Sequence, residues 1–199
     1  MNQTLLSVVL FAVAMTVSPG SNNVLLASSG VQHGMRRSVT LGLGIATGIV
    51  VLLGVAVMGL GTLVHDHPSL RVAMQALGSA YLLWLGWKIA HAGAPDLSAA
   101  GRGSHKGFAA GFINTMLNPK GWTMALSAAA SYTAIAPTAS RQALILSLIF
   151  VVVFVPNWVL WTGGGQAIGR SLQDDRHWHT ANRILGLLVV ASIIPMWLE

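Results

Sequence analysis

The chain has 199 residues with a formal net charge of +6, and its sequence contains no cysteine. Hydrophobic residues make up 54% of it and charged residues only 8%, against about 25% charged in an average soluble domain, and the mean hydropathy is +0.67. This composition excludes an ordinary soluble domain, and the lack of cysteine excludes disulfides, thiolate metal sites and thiol redox chemistry.

Six apolar stretches follow one another along the chain, and each approaches the roughly 20 residues that a helix needs to cross a bilayer. We predict membrane spans at about 3–32, 39–64, 69–90, 107–133, 141–164 and 179–198. The predicted fold class is therefore an all-α integral membrane protein, with one transmembrane domain over 1–199. The first and fourth spans are long for straight helices, which indicates an interruption in each.

The first predicted span is interrupted near its middle by the segment Ser18-Pro19-Gly20-Ser21-Asn22-Asn23. Proline removes a backbone donor and clashes with the preceding turn, so the helix is expected to unwind at Pro19. Unwound backbone occurs at membrane depth only where protein or a water-filled cavity surrounds it. We therefore predict that Pro19, Gly20, Ser21, Asn22 and Asn23 belong to a substrate site.

The fourth predicted span has a matching interruption, Asn118-Pro119-Lys120-Gly121, with Asn114 one turn earlier. A lysine at the bilayer centre costs about 2.5–3.5 kcal/mol on insertion scales, so Lys120 indicates a functional site. The predicted spans contain no Asp or Glu, so the counter-charge is expected either from outside the fixed structure, where a substrate carboxylate would serve, or from backbone carbonyls. Asn114 and Asn118 add donors and acceptors for an ammonium-plus-carboxylate ligand. The alternative is a plain loop at 118–121 and a different number of spans.

A matched pair of broken segments in two halves of a chain indicates a transporter site near the membrane midplane. The polar linker at about 92–105 separates a first repeat of about 1–91 from a second repeat of about 106–199. Three spans per half invert the second repeat relative to the first. Pro19 and Pro119 then occupy equivalent positions, and the prediction of two inverted three-helix repeats depends on them.

The fifth predicted span contains Pro156-Asn157. Two interpretations stay open: Asn157 satisfies a carbonyl that the proline frees, or Asn157 contacts the substrate.

Three GxxxG motifs predict close helix packing; they are Gly44-xxx-Gly48, Gly107-xxx-Gly111 and Gly165-xxx-Gly169.

Lys and Arg concentrate in short cytoplasmic loops of membrane proteins. Eight cations flank the loops after the first, third and fifth spans, against Arg71 and Arg141 on the opposite side. This asymmetry predicts that both termini lie outside the cytoplasm. It also explains the net charge, so no nucleic-acid partner is expected.

Catalysis and metal binding have little support in the sequence. The pairs His65-Asp66-His67 and His177-Trp178-His179 fall in or beside predicted loops, and an HxH pair alone is a weak metal signal. Ser18 and Ser21 have no intramembrane histidine to act as a base. We predict no enzymatic activity, no cofactor and no metal site.

Four motifs resemble those of the LysE/RhtB family of amino-acid exporters: Met15 to Asn23, His33-Gly34-Met35-Arg36-Arg37, Gly78 to Lys88 and Phe112 to Lys120. The resemblance continues through 157–164 and 182–186 and covers nearly the whole chain. Where the family usually has a second proline this chain has Ser21, so the first break is expected to be less rigid. Residues 27–29 and 85–90 are similar to the cysteine and O-acetylserine exporter branch.

The resemblance implies secondary active export of amino acids or close derivatives across the bacterial inner membrane, coupled to protons. A divalent-cation exporter, a passive small-solute channel and a non-transporting scaffold remain alternatives. Hard cations prefer carboxylate oxygens, which the spans lack. The expected partners are the lipid bilayer and a small amino-acid-like substrate. The exported amino acid, the coupling residue and the oligomeric state, homo-oligomers included, stay open.

Overall fold

The computed structural model describes residues 2–18, 20–60, 68–91, 104–171, 175–191 and 193–194. These residues form eight α-helices and no strand, which confirms the predicted all-α class. The helices are α1 (Asn2–Val17), α2 (Ser21–Arg37), α3 (Val39–Val55), α4 (Pro68–Ala90), α5 (Ser104–Met116), α6 (Pro119–Ser131), α7 (Ala139–Ser171) and α8 (Asp175–Ala191). A π-helical turn, Ala56–Leu60, continues α3, and a 3₁₀ turn, Thr133–Ile135, follows α6.

Both predicted interruptions separate pairs of helices. The axes of α1 and α2 meet at 58°, and Pro19 itself lies outside the described residues. The second break is shorter, since α5 ends at Met116 and α6 begins at Pro119. Residues 92–103 of the predicted linker also lie outside the described residues.

Two unbroken helices are long and apolar enough to cross a membrane, namely Val39–Gly59 and Ala139–Ser171. The bent pair of α1 and α2 makes a third candidate if it is counted as one span. This test considers only length and composition within the described residues. The six-span count therefore stays a prediction for the other helices.

Glycines bring α2 and α7 into direct backbone contact. A Cβ atom at Gly165 would overlap the carbonyl oxygen of Ala27, and one at Gly30 would overlap that of Thr162. A Cβ at Gly169 would lie 2.5 Å from the carbonyl oxygen of Val31. We call this contact the α2/α7 seam. Small residues allow such close approach in membrane proteins, where packing drives helix association.

The other two GxxxG motifs join α3 to α5. Side chains at Gly44 and Gly111 would overlap the backbone of Phe108 and Leu41 respectively, and Gly48 faces Thr115. In the same way Gly86 of α4 faces Gly186 of α8, each close to the other's carbonyl oxygen. The packing role predicted for the three GxxxG motifs, one in the α2/α7 seam and two between α3 and α5, is confirmed.

The α2/α7 contact brings two cationic helix ends together at one end of the bundle. The last turns of α2 and α7 meet where the Met35 N–H donates to Gln166 Oε1, next to Gly34, whose φ of 73° interrupts α2. Arg36 and Arg37 follow directly, and Arg170 lies one turn beyond Gln166. We call this the basic end. Toward the other end, Phe11 of α1 contacts Phe150 in the N-terminal half of α7 and Tyr132, the residue after α6.

Candidate functional site

A cavity lies between the two breaks and the middles of α3 and α7. Its volume is about 40 Å³, room for roughly three water molecules. Polar residues from both breaks and from α7 meet here across the bundle. The lining residues are Met15, Thr16, Ser18, Gly20, Asn22, Asn23, Ile49, Thr115, Asn118, Lys120, Gly121, Met124, Phe154 and Asn157.

Asn23 joins the two helices of the first break. Its Nδ2 donates to the carbonyl oxygens of Thr16 at 2.7 Å and of Ser18 at 3.0 Å, with a longer contact of 3.4 Å to that of Val17. These are carbonyls at the end of α1, where intrahelical donors run out. The first break is therefore satisfied by a side chain from the third position of α2.

The second break is a well-formed helix start. Asn118 is the N-cap of α6, and its side-chain oxygen accepts from the Lys120 N–H at 3.1 Å. Pro119 occupies the first helical position, where its missing N–H and fixed φ are favourable. The pair Asn118-Pro119 therefore both ends α5 and begins α6, with the positive end of the α6 dipole at the cavity.

Lys120 crosses from the second break to the first. Its ammonium donates to the Ser18 carbonyl oxygen at 2.8 Å and to the Ser18 hydroxyl at 2.7 Å, and its stem contacts Gly20. A cation at the C-terminal end of α1 is favourable, because that end carries negative partial charge. Among the described residues that line the cavity, Lys120 is the one with a formal charge.

Four polar residues link α2 to α5 beside the cavity. Asn114 Nδ2 donates to Asn22 Oδ1 and to the Ser21 hydroxyl, and the Thr115 hydroxyl lies 3.3 Å from Asn22 Oδ1. Asn114 is 1% exposed, and its Oδ1 has no hydrogen-bond partner. This network fixes the Asn22 side chain at the cavity wall through its oxygen.

Asn157 connects α7 to the first break. Its Nδ2 donates to Asn23 Oδ1 at 3.0 Å, while α7 runs unbroken through Pro156. The side-chain hydrogen bond of Asn157 thus goes to Asn23, and the structure shows none from Asn157 to a carbonyl freed by this proline. The Asn157 Oδ1 atom is buried without a partner. It is an unused acceptor in the cavity wall.

Six of the predicted site residues line the cavity: Gly20, Asn22, Asn23, Asn118, Lys120 and Asn157. Ser21 and Asn114 bond to Asn22 or to each other, and Pro119 begins α6. Pro19 cannot be placed, because it lies outside the described residues.

Sequence reasoning missed several members of the cavity lining. Thr16 and Thr115 adjoin the break motifs and were detectable by proximity, and Phe154 lies one turn before Asn157 on the same face of α7. Ile49 gives no signal in the sequence. Ser18 was named in the break segment but not among the site residues, whereas it is a hydrogen-bond partner of Lys120.

Replacing Asn23 by alanine should destabilise the protein. The substitution removes the donor shared by carbonyls at the end of α1 and leaves Asn157 without its acceptor. A buried polar group without a partner costs about 1–3 kcal/mol, so the unfolding temperature in detergent should fall by several degrees. Thr47→Ala is the control, because the exposed Thr47 hydroxyl bonds only to its own helix. Equal unfolding temperatures for both variants would contradict the bridging role.

Comparison with known proteins identifies the family of the chain. The family model described as LysE type translocator matches residues 13–192. The chain belongs to this family. The match includes both breaks and the cavity residues, and it confirms the resemblance drawn from the motifs.

Curated relatives of this LysE family chain include efflux proteins from enteric bacteria. The cysteine/O-acetylserine efflux protein of Salmonella typhimurium is 30% identical over 183 residues, 91% of each chain. The protein of the same name from Escherichia coli is 28% identical over 203 residues, 99% of this chain and 100% of that one. The leucine efflux protein of Klebsiella pneumoniae is 35% identical over 81 residues, 41% of this chain and 38% of that one. No solved structure matches the chain significantly.

Proposed function

We propose that the protein is a secondary active exporter of small neutral amino acids or close derivatives, and that the cavity between the two breaks binds the substrate. The observation that carries this proposal is the meeting of the Lys120 ammonium with the N-terminal ends of α2 and α6. All three favour an anion. The substrate carboxylate would bind here, beside the ammonium and the two helix ends.

The substrate ammonium has acceptors on the same cavity wall. Asn157 Oδ1 is buried without a partner. Asn157 also bonds to Asn23, which in turn bonds to the carbonyl oxygens of Thr16 and Ser18 at the end of α1. Apolar side chains complete the wall: Met15, Ile49, Met124 and Phe154. Methionines adapt to irregular shapes and contact sulfur and apolar groups well. This environment suits a small uncharged side chain, as in cysteine or O-acetylserine, which the names of several relatives mention.

The alternatives fit the cavity less well. Divalent metal ions prefer carboxylate oxygen, imidazole or thiolate ligands, and the described lining offers an ammonium and amides instead. A passive pore would need a continuous opening, whereas glycine seams close the bundle between the cavity and the basic end. We therefore favour a carrier, with proton coupling carried over from the family resemblance.

The helix pairing supports the proposed inverted repeat. In such a repeat the pair α1–α2 corresponds to α5–α6, α3 corresponds to α7, and α4 corresponds to α8. The observed packing joins α2 to α7, α3 to α5, and α4 to α8. Each broken span thus packs against the second span of the other half, which agrees with a pseudo-two-fold axis at the level of whole spans. The half-helices that make the closest contact differ, because α2 is the second half of its span and α5 is the first half of its own.

Transport by purified protein tests the function. Proteoliposomes loaded with unlabelled cysteine, O-acetylserine, serine, leucine or lysine are diluted into trace amounts of the labelled compound. A carrier exchanges label against the internal pool, and we expect counterflow for the small neutral amino acids. Equilibration of label that does not respond to the internal pool would indicate a channel. The absence of uptake for every amino acid would overturn the proposal.

The orientation of the chain is tested by cysteine labelling, because the natural chain has no cysteine. Single cysteines replace Ser104, Ala139 or Ser171 in whole cells, and an impermeant maleimide is added outside. We expect reaction only at position 139, since the positive-inside rule puts the basic end in the cytoplasm. Labelling of position 104 or 171 in intact cells would contradict the orientation with external termini. Reaction at all three positions after cell lysis is the control.

A further inference from the structure

The helix α7 carries buried polar atoms that lack a hydrogen-bond partner. Besides Asn157 Oδ1 in the cavity wall, these are Trp158 Nε1, Trp161 Nε1 and Thr162 Oγ1. Helix geometry places residues three and four positions apart on one face, so Trp161 and Thr162 lie one turn beyond Trp158 and on either side of it. A buried polar group without a partner costs about 1–3 kcal/mol, and several within two turns require a cause. We call Trp158, Trp161 and Thr162 the α7 strip.

The threonine of the strip differs from other helical threonines of this protein. The hydroxyls of Thr16, Thr47, Thr115 and Thr180 each donate to the carbonyl oxygen four residues earlier. This bond is the usual way in which a helix satisfies a threonine hydroxyl. Thr162 is 0% exposed, yet its hydroxyl makes no such bond. The Thr162 hydroxyl is therefore a buried donor without an acceptor in this structure.

The tryptophans of the strip show the same contrast. The Trp122 indole, at the second break, donates to the Met116 carbonyl oxygen at 2.8 Å. The indoles of Trp158 and Trp161 are packed against the core without such an acceptor. Trp158 lies directly on Gly42 of α3, where any larger residue would collide with the ring.

The α7 strip lies between the cavity and the basic end. Asn157 lines the cavity, and the Thr162 backbone touches Gly30 of α2 in the seam. One turn further, Gln166 bonds to Met35 where α2 and α7 end together. The strip thus runs from the cavity toward the basic end, covered at Trp158 by Gly42 of α3 and at Thr162 by Gly30 of α2.

We propose that the α7 strip is a second substrate position, which binds the amino-acid carboxylate on its path between the basic end and the central cavity. This inference rests on the proposed function. Two indole N–H groups and a hydroxyl offer three neutral donors, which match the acceptor oxygens of a carboxylate. Neutral donors bind a carboxylate less strongly than an ammonium does, so substrate at the strip moves on to Lys120 when α2 and α7 separate.

Thiol labelling tests whether the strip becomes accessible, without any assumption about the substrate. Thr162→Cys is compared in detergent with Leu146→Cys, on the same helix and equally buried at 0% exposed. We expect an anionic methanethiosulfonate to modify the thiol introduced at position 162 at least tenfold faster. At position 162 the anionic reagent should also react faster than a cationic reagent of similar size. Each rate is first divided by the rate of the same reagent with a free thiol in solution. Equal, slow reaction at both positions would overturn the proposal.

Transport kinetics test whether the strip binds substrate. Trp158→Phe and Trp161→Phe keep an aromatic ring and remove the indole donor, and Trp87→Phe is the control on an exposed ring. We expect KM for counterflow to rise about five- to tenfold in each strip variant. Affinity for the central cavity, measured by calorimetry, should stay within twofold of the natural protein.

The outcomes separate the two proposals. Unchanged KM in both strip variants overturns the second position while leaving export intact. An equal loss of transport and of calorimetric affinity also overturns it, because the strip would then belong to the central site. If the natural protein transports no amino acid, the proposed function fails, and the labelling at position 162 still decides whether the strip opens to solutes.

Discussion

Gly165→Ala should strongly destabilise the protein, whereas the neighbouring Gly164→Ala should not. A Cβ at position 165 would overlap the Ala27 backbone in the α2/α7 seam, so two helices must move apart. Overpacking of this kind costs about 1–3 kcal/mol, and backbone cannot yield as a flexible side chain can. The same methyl at Gly164 meets nothing within 4 Å and should stabilise the helix by about 0.5–1 kcal/mol.

The two variants are compared by thermal unfolding in detergent. The chain has seven tryptophans, so intrinsic fluorescence reports unfolding without an added dye. We expect opposite shifts, a fall of several degrees for Gly165→Ala and a small rise for Gly164→Ala. Counterflow should follow the same order. Equal unfolding temperatures would show that α2 and α7 do not pack through this glycine.

Lys120→Met should abolish most substrate binding while leaving the protein folded. A charge-assisted hydrogen bond to a carboxylate is worth roughly 1.5–3 kcal/mol, so affinity should fall about ten- to a hundredfold. The Ser18 carbonyl keeps its bond from Asn23, which limits the loss of stability. Lys120→Arg should rescue binding only in part, since a planar guanidinium needs more room than an ammonium.

Ser18→Ala is the matched control for the lysine. It removes the hydroxyl that Lys120 contacts at 2.7 Å but keeps the charge and the carbonyl contact. Calorimetry with the best substrate from the counterflow screen should give nearly natural affinity for Ser18→Ala and weak binding for Lys120→Met. If both variants lose affinity equally, Lys120 acts by holding α1 to α6. Natural affinity in Lys120→Met would exclude a direct contact with the carboxylate.

The sequence predicted the features that depend on local chemistry. Apolar composition and the lack of charge in long stretches indicate membrane helices, because hydrocarbon cannot solvate exposed backbone or charges. A proline near the middle of such a stretch predicts a helix end regardless of the neighbours, and α6 does begin at Pro119. A lysine in an apolar segment indicates a functional site, because burying its charge is costly. The glycine motifs predicted close packing in the same way.

The tertiary structure decided which of these features meet. Lys120 contacts Ser18, 102 residues away, and Asn157 donates to Asn23, 134 residues away. The partner of a polar side chain depends on the rotation and pairing of whole helices, which no local pattern records. The hydropathy of a helix shows that it must be surrounded by lipid or by other helices. Which helix packs against it depends on where glycines allow a neighbouring backbone to approach. The sequence alone therefore determined the membrane class and the two breaks, and packing determined the site between them.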